Sequence, residues 1–224
     1  MRAKNVISRA PIVLVTLLGL GAFFYPLIVP PQQAGSSTAA HAQDAPFVFL
    51  LLIALCLLVV LADLENRGLD SKTVALLGIL SAINAVLRFV PGPTGFSAMF
   101  FLPILCGYVY GGDFGFLLGV LSLFVSALIT GGVGPWMPYQ MFAMGWVGLS
   151  AGWLPRIRRW PRVEIALLTI FGAIGGLIFG AVMNLWFWPY IVPPTELSRG
   201  FVCLRRYATF DFTTSFWWGL GRAG

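Results

Sequence analysis

The sequence predicts an all-α, polytopic membrane helix bundle, and three observations carry that reading. Hydrophobic residues make up 58% of the 224-residue chain and charged residues only 10%, whereas a soluble domain carries about a quarter charged residues. The apolar residues fall in continuous runs, and most charges lie between those runs. A β-barrel would instead alternate apolar and polar residues, so each run must satisfy its backbone groups internally as a helix.

A bilayer core about 30 Å thick needs about 20 helical residues. In chain order the runs are Pro11 to Val29, Ala45 to Ala62, Thr73 to Leu87, Phe96 to Tyr110, Phe114 to Thr130, Tyr139 to Leu154 and Val163 to Trp186. A last run opens near Tyr207 and is unfinished at Gly224. Residues 1–66 are expected to form a two-helix membrane extension, and residues 67–224 a core whose final helix is truncated. Ala40-His41-Ala42 has the A-x-A form of a signal-peptide cleavage site, but it lies more than ten residues beyond the first run, so a retained helix is expected.

Basic residues orient the bundle. Arg2, Lys4 and Arg9 precede the first run, Arg67 and Lys72 follow the second, and Arg156, Arg158, Arg159 and Arg162 follow the sixth, all on one side if the spans alternate. The linkers from Pro30 to Gln43 and from Thr130 to Pro138 have neither Lys nor Arg. The N-terminus is therefore expected in the cytoplasm and the protein in the inner (plasma) membrane. Arg199, Arg205 and Arg206 break the pattern, either as a ligand-facing feature or as a fault in the last two spans.

Composition excludes several chemistries. The single histidine, His41, falls in a linker, no GxxxxGK[ST] occurs, and Cys56, Cys106 and Cys203 lie far apart. A histidine triad, a HExxH site, a Walker site and a zinc cluster are thereby excluded, so neither an enzyme nor a resident metal or cofactor is expected. The basic residues form no nucleic-acid-binding face.

In lipid, helices pack closely through small residues. Gly111, Gly115 and Gly119 form one stripe, Ser122, Ser126 and Thr130 a second, and Gly172, Gly176, Gly180 and Asn184 a third. Gly78 and Ala82 make a small-xxx-small pair, with Ser81 and Ala85 beside it. Such stripes serve either internal packing or docking onto another membrane subunit.

Few polar groups interrupt the runs: Asn84, Arg88, Asp113, Gln140, Glu164, Asn184 and Asp211. A charge at mid-bilayer costs about 2.5–3.5 kcal/mol on insertion scales, so each must lie near an end, find a partner or line a cavity. Asp113 and Glu164 read as cytoplasmic boundary residues, whereas Arg88, Gln140 and Asn184 approach the outer face. The segment from Thr130 to Gln140 holds Gly131, Gly132 and Gly134 for positive φ, Pro135 and Pro138 to fix φ, and Trp136 and Tyr139 beside them. An interfacial aromatic belt explains the aromatics. The glycine-rich bend and the polar groups beneath it fit an aromatic-lined pocket. The candidate binding residues are Asn84, Arg88, Thr130, Gly132, Trp136, Gln140, Asn184 and Trp188.

The stretch GYVYGGDFGFLLGVLSLFVSALITGGVGPWMPYQMFAMGWVGLSAGWLPR, with ALLGILSAINAVLRFVPGPTGFSAMFFLPILCG before it, resembles the substrate-binding S components of energy-coupling factor (ECF) vitamin transporters. Its most specific part runs from Gly131 to Phe142, and the S components it is most similar to are those of cobalamin uptake. The resemblance implies a six-helix core that captures a vitamin from outside. It has no ATPase activity and is paired with a transmembrane T component and two cytoplasmic ATPases. It also implies partner docking at Gly78 and Ala82, with Ser81 and Ala85 adjacent, although the family's strict AxxxA form is absent. A flavin or smaller heterocycle suits the same residues. A structural or assembly protein remains the reading from a different class, and an ion-coupled carrier is disfavoured because Arg88 and Asp211 lie near span ends.

Overall fold

The computed structural model describes residues 71–89, 98–134, 136–157 and 159–191, with side chains to Asn184 in the last stretch, together with Val13, 16–21, Phe23, Phe24, Phe47, 50–51 and 53–54. Among the described residues all regular structure is helical. Helix α1 spans Ser71–Leu87, a 3₁₀ turn at Ala98–Phe100 leads into α2, Phe101–Tyr110, and α3, α4 and α5 follow at Gly112–Thr130, Met137–Ala151 and Pro161–Ile191. The final run from Tyr207, and most of the two N-terminal runs, lie outside the described residues.

The expected boundaries hold to within a few residues, and where they differ the reason is local. Helix α4 ends at Ala151 rather than Leu154 because the chain tightens there. The N–H groups of Gly152, Trp153 and Leu154 donate to carbonyls only three residues back, at 3.1–3.2 Å. Pro155 then follows, and the residue before a proline is disfavoured in α geometry. Helix α4 also begins earlier than Tyr139, at Met137, with Pro138 in its first turn, where a missing N–H costs no helical bond. Helix α5 runs five residues beyond Trp186, to Ile191.

The helices alternate in direction. Arg88, just past α1, bonds Ser126 near the end of α3 and Gln140 near the start of α4, which sets one end of the bundle. At the other end Gly107, Gly115 and Gly148 meet, from the end of α2, the start of α3 and the end of α4. Lys72, Arg156, Arg159 and Arg162 belong to this second, arginine-rich end. Helix α3 is central: 61% of its apolar window is buried, against 6% for the window in α5. These two helices are long and apolar enough to cross a membrane, and α1 and Ala98–Tyr110 are shorter apolar helices.

The core is held by side chains that are individually ordinary and by glycines that are not. Phe116, Leu117, Leu118, Val120, Met141, Phe142 and Met144 are almost wholly buried. A Cβ on Gly148 would lie 2.2 Å from the Gly115 carbonyl oxygen, and one on Gly107 would lie 2.1 Å from that of Gly148. One on Gly119 would lie 2.8 Å from the Met144 oxygen. The glycine stripe of α3 therefore serves internal packing at Gly115 and Gly119. Gly111 plays a different part, turning the chain between α2 and α3 at φ 109° with open space around it.

Hydrogen bonds tie the arginine-rich end together. The Tyr108 hydroxyl donates to Glu164 Oε1, linking α2 to α5. The Arg156 guanidinium donates to the carbonyls of Tyr108 and Val109 at 3.3 and 3.2 Å, satisfying acceptors that the end of α2 leaves open. Part of the N-terminal region also joins the core. Phe23 is 2% exposed and meets Tyr139 edge-on at 4.8 Å and Trp146 at 5.5 Å.

Candidate functional site

The end opposite the arginines is built from three elements. Ser81 and Asn84 on α1 and Arg88 just past its end follow at i, i+3 and i+7, so they share one face, and the first two are buried at 2% and 1% exposure. On α3, Ser122, Ser126 and Thr130 form a parallel stripe at i, i+4 and i+8. Ser122 and Ser126 are also buried, and α1 packs along α3. The result is a polar seam inside the bundle that ends at Arg88.

Arg88 closes the seam from above. Its Nη1 donates to Ser126 Oγ at 3.3 Å and its Nη2 to Gln140 Oε1 at 3.4 Å, so one side chain joins α1, α3 and α4. The other stripe hydroxyls are spent locally: Ser122 donates to the Leu118 carbonyl and Thr130 to that of Ser126. Two buried oxygens of the seam, Asn84 Oδ1 and Ser81 Oγ, have no hydrogen-bond partner among the described residues. Such groups cost about 1–3 kcal/mol when left unpaired.

The bend above the seam is shaped by backbone rules. Gly131 caps α3 in the left-handed region at φ 64°, and its N–H and that of Gly132 both donate to the Ala127 carbonyl. Gly132 N–H also donates to Thr130 Oγ1 at 3.2 Å, so these two candidate binding residues are bonded to each other within the bend. Gly134 lies under the Trp136 ring, where a Cβ would fall 2.5 Å from its carbons. Trp136 is 41% exposed, whereas Met137 and Tyr139 behind it are buried. Gln140 follows Trp136 by one helical turn, so the indole and the amide share the outer part of one face of α4.

The remaining candidates separate. Asn184 is half-buried on α5, two residues past Val182, which with Ala143 lines a hollow of about 110 Å³ between α4 and α5. The side chain of Trp188 lies outside the described residues. A larger apolar hollow of about 380 Å³ opens between α2 and α5, lined by Phe100, Ile104, Leu168 and Gly172 among others. On α1, Gly78 and Ala82 are exposed while Ser81 and Ala85 are turned into the bundle, so the small-residue group divides between two faces. Ser126, which Arg88 bonds, is not among the candidate binding residues read from the sequence, although its spacing from Ser122 and Thr130 was the available signal. Among the described residues no three His, Cys, Asp or Glu side chains cluster as metal ligands.

A family model for the ECF transporter, substrate-specific component, matches residues 72–217, about two thirds of the 224-residue chain. The chain belongs to this family. The match takes in α1, from its second residue, through α5 of the ECF substrate-specific component, and residues 1–71 precede it. Comparison with curated proteins and with solved structures found no match. ECF substrate-specific components are membrane transporter subunits rather than enzymes, and they work with a T component and ATPases.

Proposed function

We propose that this substrate-specific component captures a vitamin at the Arg88 end of the bundle, and that a T component and two cytoplasmic ATPases drive its uptake. The observation that carries the reading is the convergence of Arg88, Ser126 and Gln140 from three elements at the end of a buried polar seam, with exposed Trp136 one turn above Gln140. A bundle needing only to pack would have no use for this group, since burying polar atoms in an apolar interior is costly. The concentration of Lys72, Arg156, Arg159 and Arg162 at the opposite end supports an outward-facing mouth in the plasma membrane, with the N-terminus cytoplasmic.

Cobalamin is the first ligand to test, because a large amide-bearing body suits a mouth that offers an indole and the polar groups of Gln140 and Arg88. A flavin is the second. Beside the seam on α1, exposed Gly78 and Ala82 support docking of the T component. Ser81 and Ala85 are buried, so the proposed docking surface is limited to Gly78 and Ala82.

The experiment is ligand binding by the purified chain without nucleotide, against a broad vitamin panel. One vitamin binds tightly, and Gln140→Ala weakens it by about fivefold to tenfold, the worth of one net hydrogen bond. Folded protein that binds no vitamin refutes the proposal. Unchanged affinity in both Gln140→Ala and Trp136→Ala removes the bend from the site.

A further inference from the structure

Resting on the capture reading, the chemistry at Arg88 narrows the substrate. We propose that the captured molecule carries an oxyanion, a carboxylate or a phosphate, and that Arg88 is the residue that selects it.

The argument begins with charge. Arg88 carries a guanidinium that stays protonated, in a half-buried position at the end of a membrane helix. Its recorded partners among the described residues are neutral oxygens, Ser126 Oγ and Gln140 Oε1. The described carboxylates, Asp113 and Glu164, belong to the arginine-rich end. Thirteen residues of α3 separate Asp113 from Ser126, about 20 Å of helix rise. A positive charge that the described residues hold in low dielectric by dipoles is poorly stabilised by them and attracts an anion strongly.

Geometry agrees with charge. The bonds at 3.3 and 3.4 Å are long for N–H···O contacts, where about 2.9 Å is usual. They occupy one N–H on each terminal nitrogen, and guanidinium offers five N–H groups in a planar fork suited to a carboxylate or phosphate. The fork is also aimed inward. Ser126 is fully buried, so the head group points into the junction of α1, α3 and α4 and not outward to a lipid headgroup, as a snorkelling arginine would. Trp136, one turn above Gln140 and 41% exposed, offers an apolar plate for the rest of the ligand.

The test uses matched pairs that differ in the anion, measured on the full chain in phosphatidylcholine nanodiscs: nicotinate and nicotinamide, pantothenate and panthenol, biotin and its amide, flavin mononucleotide and riboflavin, cobalamin and cobinamide, which lacks the phosphodiester. In one pair the anionic member binds at least about tenfold tighter. Arg88→Gln abolishes that ratio, and Arg88→Lys, which keeps the charge without the fork, retains part of it. Four results overturn the proposal: a bound pair whose neutral member is equal or tighter, a ratio that survives Arg88→Gln, competition by phosphatidylglycerol in the nanodisc, or a ratio that emerges only in Asp211→Asn, which would mean the chain already supplies the counter-ion. Tight binding of a neutral vitamin with no role for Arg88 refutes the anion while leaving capture intact. Failure of every probe and of the broad panel refutes both.

Discussion

Gly148→Ala should destabilise the protein sharply while Gly78→Ala should not, although the same methyl group is added to an apolar helix in both. At Gly148 the new Cβ would stand 2.2 Å from the Gly115 carbonyl oxygen and 2.5 Å from its carbon. Ordinary contact begins at about 3.4 Å, so α3 and α4 would have to part by roughly the difference between 2.2 and 3.4 Å, about 1.2 Å. The atoms in the way are backbone, which has no rotamer to change, and Gly107 of α2 is seated at the same place. Overpacking a close-packed interior costs about 1–3 kcal/mol, and an obstruction made only of backbone puts this case at the top of that range. At Gly78 nothing lies within 4 Å, so alanine adds only its helix propensity, worth up to about 1 kcal/mol. Thermal unfolding in detergent, followed by circular dichroism, reads both, at about 2–4 °C of midpoint per kcal/mol for a chain of this length. A Gly148→Ala midpoint equal to that of Gly78→Ala would refute the reasoning that backbone contact at this crossing holds the core.

Tyr108→Phe removes the hydroxyl that donates to Glu164 and should cost about 1.5 kcal/mol, the lower range for a hydrogen bond to a charged group; the same thermal assay checks it, with ligand affinity unchanged because the contact lies at the far end from Arg88. Ala82→Leu places bulk on the exposed face of α1 and should impair co-purification with a T component while leaving the melting midpoint within about 0.5 kcal/mol of wild type, as for other surface changes. Gly131→Ala forces a side chain into the left-handed cap at φ 64° and should lower stability by about 1 kcal/mol, read in the same melting assay.

Length and apolar continuity made the five described helices legible in the sequence, because a helix crossing lipid must be apolar throughout. That same property hid which face of each helix points inward. On α1, Gly78, Ser81, Ala82 and Ala85 fall within one arc of the helix, yet the boundary between interior and exterior runs through it, leaving Gly78 and Ala82 outside. In water a polar face would have announced that boundary. In lipid both sides are apolar and no periodicity marks it. The candidate site followed a similar division. Arg88 and Gln140 stood out because polar residues are rare in spans, but the bond from Arg88 to Ser126 crosses 38 positions of sequence, and Ser126 looked like one more small residue in a stripe. Gly111 matched its stripe by spacing alone, since spacing carries no information about φ.

Where Gly107, Gly115 and Gly148 touch, main chain rests on main chain, and no flexible group lies between them to cushion a shift. A joint of that kind has no play. Any rigid-body movement of the bundle would carry α2, α3 and α4 together as a stiff block, like struts welded at one point.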